Sequence, residues 1–268
     1  MTILVTGATG NIGRMVVDHL LAAGATGVRA LTVDPARAAL PEPVEVVRGY
    51  LRRPETLPAA LDGVDRMYLA PTPDTVREVV AAARRAGVRR IVDLSGEPQS
   101  WWGTVATAVE EFGGGWTHLW PGDFMENTLT WAPQIRTAGE VGEPWPLAAS
   151  TPVAMDDIAA VASAALLEDG HDGRAYSLTG PEVLTRADLV RLIARAAGRD
   201  IRFVQTTRED TVDRLSPAMG DTAAWYVDNV LAGMTPRPSP PSPTVERVTG
   251  RPATTFARWA AAHADSFR

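Results

Sequence analysis

The residues whose types and spacing suggest chemistry begin at the N-terminus. Gly7-Ala8-Thr9-Gly10-Asn11-Ile12-Gly13 follows the apolar run Ile3–Thr6 and precedes a pattern in which Ile12, Val16, Val17, Leu20 and Leu21 share one helical face. In a strand–loop–helix of this kind the first glycine allows a tight turn and the second lets the backbone approach a pyrophosphate. The third lets helix and strand pack closely. The helix start then offers free N–H groups and the positive end of its dipole to the anion. A second checkpoint lies at the end of the next strand, where an acid reads ribose hydroxyls and a base reads a 2′-phosphate. Here the sequence is Val33-Asp34-Pro35-Ala36-Arg37. Asp34 suits the ribose of NAD and Arg37 suits the 2′-phosphate of NADP, but Asp34 equally suits the cap of a short helix begun by Pro35. The choice between NAD and NADP stays open.

Composition removes other chemistries. All 26 basic residues are Arg, and Lys and Cys are absent. Schiff-base catalysis, a P-loop lysine, thiol nucleophiles, thiolate metal sites and disulfides are therefore excluded. The net charge of −6 argues against a nucleic-acid partner. His19, His171 and His263 are dispersed with no ligand spacing, so no metal is expected. Met1 and Thr2 lead straight into an apolar strand with no targeting segment, and no apolar stretch approaches the ~20 residues of a membrane span. A cytoplasmic protein without a membrane partner is expected.

The elements that must position the glycine loop alternate strand with helix. Strands are expected at Ile3–Thr6, Val28–Val33, Val44–Val47, Arg66–Ala70, Val88–Leu94 and Trp116–Trp120, with helices at Thr75–Ala86 and Gly103–Phe112. Apolar strands separated by helices imply an α/β fold, a doubly wound parallel sheet. The second half changes character. Asp156 or Asp157 caps a helix through Leu167, Ala175–Leu178 and Ile201–Val204 are short strands, and Thr185 caps a helix to Ala197. Further helices are expected near Thr207–Leu215, at Thr222–Ala232, and around Phe256, Trp259, Ala260 and His263. Thr235–Pro243 reads as a PPII-like connector that could clasp the sheet or a second subunit of a homodimer. The expected division is a Rossmann domain over residues 1–150 and a smaller C-terminal substrate-capping lobe over 151–268, interleaved with the sheet.

Several stretches, in this order, resemble the NmrA-like atypical short-chain dehydrogenases. They are Thr6–Arg14, Ala86–Ser95, Pro121-Gly122-Asp123-Phe124-Met125-Glu126-Asn127, Met155–Ala159 and Tyr176–Glu182. The Gly250-Arg251-Pro252…Phe256 ending also fits. That family consists of NAD(P)-binding Rossmann proteins, among them quinone and enone-type reductases and cofactor-sensing regulators. The resemblance implies that Gly7, Thr9, Gly10, Asn11 and Ile12 meet the pyrophosphate. It implies that Ala70, Pro71 and Thr72 lie along the adenosine and ribose, and that Ser95 sits near the nicotinamide. Phe124, Met125 and Asn127 are implied at the substrate end. The departures are equally specific. Val33 stands where an NADP-reading Arg is common, Tyr50 where an adenine-holding Asp is common, and Ala106 where a lysine relay is common. Trp120 replaces a usual Arg. A lysine-assisted tyrosine is excluded.

Proton sources then reduce to Ser95, His118 and Asp123. Asp123 stands where the family usually carries an aromatic or apolar residue. A carboxyl among apolar groups has a raised pKa and suits an acid or base; the alternative is that Asp123 caps the helix starting at Phe124. His118 alternates with Trp116 and Trp120 on one strand face, which favours a hydrogen-bonded core histidine. Trp101, Trp102, Trp120 and Trp131 flank the expected substrate end and suit a flat hydrophobic substrate. The leading reading is an NAD(P)-dependent oxidoreductase acting on an aromatic or conjugated carbonyl, with Asp123 and Ser95 as catalytic candidates. Two alternatives stay open: a non-redox isomerase, cyclase or lyase using Asp123, and a cofactor-sensing regulator without turnover.

Overall fold

The computed structural model describes residues 1–100, 102–234, 238 and 240–268. In chain order it has β1 (Ile3–Val5), α1 (Asn11–Ala22), β2 (Val28–Thr32), β3 (Glu45–Arg48), α2 (Pro58–Leu61), β4 (Arg66–Leu69) and α3 (Val76–Arg85). Then come β5 (Arg90–Leu94), α4 (Gly103–Glu110), β6 (Gly115–Pro121), α5 (Ala132–Ala138), β7 (Glu140–Glu143), β8 (Ala149–Ser150), α6 (Met155–Leu167) and β9 (Arg174–Leu178). The remainder is β10 (Leu184–Thr185), α7 (Arg186–Ala197), β11 (Arg202–Gln205), α8 (Arg208–Met219), α9 (Ala223–Tyr226), α10 (Thr244–Thr249) and α11 (Phe256–Ala262).

The chain forms two compact units. The first comprises Met1–Pro121, Met155–Leu178 and Arg247–Gly250. Its sheet runs β3-β2-β1-β4-β5-β6-β9, every neighbour parallel. This is the Rossmann order, in which the chain returns from β3 past β1 to β4 and leaves a ligand crevice at the carboxyl ends of β1 and β4. One face packs Leu4, Leu69, Ile91, Val79, Ala83, Val105 and Val109 into a core with α3 and α4. Gly87 (φ +82°) ends α3 as the spacing predicts.

The second unit comprises Gly122–Ala154, Thr179–Glu246 and Arg251–Arg268. It contains two ribbons, antiparallel β8–β10 and parallel β7–β11. Thr185 caps α7 through a reciprocal capping box with Asp188. Trp131, Ile135, Leu189, Ile193, Val227 and Phe256 form its buried centre.

Several expectations shift. The chain does not divide at residue 150: it leaves the first unit after Pro121, re-enters at Met155, and leaves again after Leu178. The reason is that α6 and β9 complete the Rossmann unit, whereas the stretch before them belongs to the second core. Helix α6 starts at Met155, so Asp156 and Asp157 lie within its first turn, where they favour the helix dipole. Helix α8 continues to Met219 through Pro217, and Val227–Leu231 winds as a π-turn, a widening that periodicity alone does not signal. Strands β7, β8 and β10 were not expected, being too short to show alternation. Within the PPII-like connector, residues 235–237 and 239 lie outside the described residues.

Candidate active site

The glycine loop has the geometry its spacing predicts. Gly7 adopts φ +60°, and a side chain there would meet the Ala70 methyl at 3.0 Å. A methyl on Gly13 would collide with the Gly7 carbonyl, so only glycine lets α1 sit this close to the end of β1. Thr6 ties the loop to the next strand: its hydroxyl donates to Tyr68 O (2.9 Å) and accepts from Ala70 N (2.8 Å). Helix α1 begins after Gly10 with no side-chain cap and no acidic residue in its first turn. Its N-terminal N–H groups and dipole are therefore left for an anion, and an NAD(P) pyrophosphate fits this site.

At the end of β2 the Asp34 carboxylate accepts from Ala36 N (3.2 Å) and caps the turn at Pro35–Arg37. Arg37 is exposed. Arg14, from the first turn of α1, donates to Ala39 O (2.9 Å) and pairs with Asp18. After β4, Ala70 and Pro71 are half-buried, whereas Thr72 is buried with its hydroxyl 2.8 Å from that of Thr75.

Ser95 closes β5, its N–H donating to Leu119 O (3.0 Å). Its buried hydroxyl and the Trp120 indole N–H both lack hydrogen-bond partners. Two residues before Ser95, the Asp93 carboxylate lies 2.6 Å from His118 Nδ1, with both side chains fully buried. His118 is thus the hydrogen-bonded core histidine that its strand face suggests.

An NAD(P)H-binding family model matches residues 7–104. The NAD(P)H azoreductase of Xenophilus azovorans is 38% identical over 99% of this chain and 99% of its own length. The chain belongs to the NmrA-like atypical short-chain dehydrogenase family. It is an NAD(P)-dependent oxidoreductase. The (4-alkanoyl-5-oxo-2,5-dihydrofuran-3-yl)methyl phosphate reductase of Streptomyces griseus subsp. griseus is also 38% identical, over 99% of both chains. In fold, the chain superposes on Citrobacter sp. triphenylmethane reductase complexed with NADP(H) with a TM-score of 0.86. That match covers 98% of this chain and 100% of that one at 22% identity.

In the second unit of this family member, Asp123 does not cap a helix. The turn that follows starts at Met125, with Phe124 at its cap position. Asp123 Oδ1 instead accepts from Asn127 Nδ2 (2.8 Å) and Oδ2 from Ser150 Oγ (3.1 Å), with Arg186 Nη1 at 3.7 Å. Burial raises its pKa, and Arg186, Asn127 and Ser150 only partly offset that. Arg186 is gripped bidentately by Glu143 (both bonds 2.7 Å) and stacks 4.6 Å over the Trp131 ring. Trp131, expected at the substrate end, is fully buried and donates to Glu143 (2.9 Å). Met125, also expected there, has no exposed surface and packs into the core of its unit. Phe124 and Asn127 are half-buried, and Trp101 lies outside the described residues.

Sequence reasoning passed over Thr6, Asp93, Glu143 and Arg186. Asp93 carried a signal, the one acid in a central strand directly after Ile91-Val92, but its partner is fixed only by the β5–β6 register that sets Asp93 beside His118. Among the described residues no group of three or more metal-ligating side chains comes together, and no helix is long and apolar enough to cross a membrane.

Proposed function

We propose that this oxidoreductase reduces flat, conjugated acceptors of the quinone, azo or unsaturated-carbonyl kind, taking NADPH in preference to NADH and using no Tyr–Lys pair. The open, acid-free N-terminus of α1 behind Gly7 and Gly10 carries the cofactor half of this reading. The substrate half is supported by the azo and dihydrofuranone substrates named for the two 38%-identical relatives.

When bound, the nicotinamide supplies the hydride. The chain's own residues do the rest. The backbone from Gly7 to Ile12, with the side chains of Thr9 and Asn11, holds the pyrophosphate, and Ala70, Pro71 and Thr72 flank the adenosine and ribose. Arg37 reads the 2′-phosphate, because Asp34 has its carboxylate engaged in its own turn. The Ser95 hydroxyl and Trp120 indole N–H are the unpartnered donors at the ends of β5 and β6, suited to a carbonyl or carboxamide oxygen. Trp120 adds an aromatic face. No arginine can replace the missing lysine as a proton relay, since a guanidinium stays protonated throughout the working pH range.

Titrating the full chain with NADPH and NADH, read by energy transfer from tryptophan, tests the cofactor half. NADPH should bind more tightly, and Arg37→Ala should weaken NADPH by about tenfold, the equivalent of one charge-assisted hydrogen bond, while sparing NADH. Turnover against menadione, an azo dye and an unsaturated lactone tests the other half. Failure of both cofactors to bind below millimolar concentrations, or binding without oxidation across the whole panel, contradicts the reading.

A further inference from the structure

Among the described residues, four of the buried polar atoms without a hydrogen bond lie on or next to two adjacent strands: Asp93 Oδ1 on β5, Ser95 Oγ just past its end, and His118 Nε2 and Trp120 Nε1 on β6. The clustering follows from pleat and register. Asp93 and Ser95 are two apart and so share a sheet face, as do His118 and Trp120, and the register sets Asp93 beside His118. An unpaired buried polar group is costly, and Ser95 Oγ and Trp120 Nε1, with no hydrogen bond, are a standing penalty that simple core packing does not explain.

Two carboxylates and two indole rings surround the imidazole. The Asp93 carboxylate is 2.6 Å from Nδ1. The Glu110 carboxylate, half-exposed on α4, is 3.5 Å from Nε2. Trp116 stacks on the ring at 4.2 Å and Trp120 lies parallel at 6.1 Å, each offering an indole face to a cation. Burial raises the Asp93 pKa, and His118 and, to a smaller degree, Ser95 two residues along the same face work against that rise. Tyr68 on β4 also feels the Asp93 charge. These are the titratable groups that face the pair.

We propose that Asp93 and His118 form a buried imidazolium–carboxylate proton store that supplies Ser95 at the end of β5, and that Glu110 holds the store charged. The inference rests on the reductase reading, in which each hydride delivered to the acceptor must be matched by one proton. The Ser95 O–H bond breaks as its proton passes to the reduced acceptor, and the hydroxyl is remade by a proton from Asp93. Asp93 takes that proton from His118 Nδ1, leaving a neutral imidazole protonated at Nε2. The store refills from solvent along the same path once product leaves, so one proton enters and one leaves per turnover. Asp93 and His118 act through Ser95 and are positioning residues. The pair occupies the functional place that the absent lysine leaves vacant.

The test uses full-length protein labelled with 15N-histidine, with NADPH and menadione as the assay. The wild-type His118 spectrum should show both ring nitrogens protonated at neutral pH, and Asp93→Asn should convert it to a neutral ring. Ser95→Ala and Asp93→Asn should lower kcat by about 100-fold, the scale of a general acid, with KM for NADPH little changed and the solvent deuterium effect lost. Glu110→Gln, a half-exposed change that spares the fold, should move the alkaline limb of the rate profile to lower pH. A neutral wild-type imidazole overturns the proposal, as does a full rate with an unmoved pH profile in Ser95→Ala and Glu110→Gln. In that last case the reductase reading survives. A wild type that oxidises no NADPH overturns the reductase reading instead, and the imidazole spectrum then decides on its own whether the pair stores a proton.

Discussion

Each unit buries an aspartate side chain beside a cationic or imidazole partner, and the two are built in opposite ways. In the Rossmann unit Asp93 faces His118, a group that can gain or lose a proton, and the surrounding atoms are left open. In the second unit Asp123 accepts from Asn127 and Ser150 and faces Arg186, a cation gripped bidentately by Glu143 through Nε and Nη2. A carboxylate whose two oxygens both accept hydrogen bonds beside a permanent cation is fixed in place. One set beside an imidazole with open positions can pass a proton on. Burial raises the pKa of both aspartates, so the shift alone does not tell them apart. The partners do. Burial works against the Arg186 charge, yet Glu143 outweighs it and leaves the guanidinium more firmly protonated than usual.

The sharpest way to break this contrast is Arg186→Met. It strands Glu143 and Asp123 without a cation, and removing one partner of a buried ion pair costs about 3–5 kcal/mol. Urea unfolding would measure the loss, and a variant as stable as wild type would show that the cluster carries no net constraint. Next in size, Ser150→Ala removes one donor to the Asp123 carboxylate and should cost about 1–3 kcal/mol, read the same way.

A pH series separates the aspartates more finely. Because burial raises the Asp93 pKa above its ordinary value of 3.8, the folded chain binds this proton more tightly than the unfolded one. Its contribution therefore favours folding at low pH and is lost as pH rises through the folded value. Subtracting the stability of Asp93→Asn from that of wild type reads this effect together with the coupled change at His118, and the difference should move against the wild type as pH rises from 4 toward neutrality. A flat difference would mean that Asp93 titrates as it does in the unfolded chain. The smallest effect is expected at Arg208, which pairs with Asp228 on the surface. Arg208→Gln should leave the unfolding midpoint within error, in contrast to Arg186, because solvent screens an exposed pair.

The Rossmann unit was the more legible in sequence. Its first strand is an apolar run and the glycines behind it have conformational duties that no other residue can perform, so β1, the loop and α1 stand out locally. Asp34 showed how local signals stay ambiguous, since ribose reading and helix capping ask for the same residue. The second unit was hidden for a physical reason. Its ribbons β8–β10 and β7–β11 join stretches far apart in the chain; β11 falls where Ile201–Val204 predicts a strand, but β7, β8 and β10, two to four residues long, carry too little alternation to stand out. Trp131 was read as an open aromatic wall because sequence does not reveal that Glu143 and Arg186 enclose it. Likewise Asp93 was overlooked because its meaning comes from a residue 25 positions later on the neighbouring strand.

The central claim is that this lysine-free chain passes hydride from a nicotinamide to a conjugated acceptor. Single-turnover oxidation of NADPH deuterated at C4, on either face, with menadione as acceptor, tests it directly. A primary isotope effect should appear for one of the two labelled faces and be absent for the other. Equal rates for both labelled forms and unlabelled NADPH, or no oxidation at all, would contradict it.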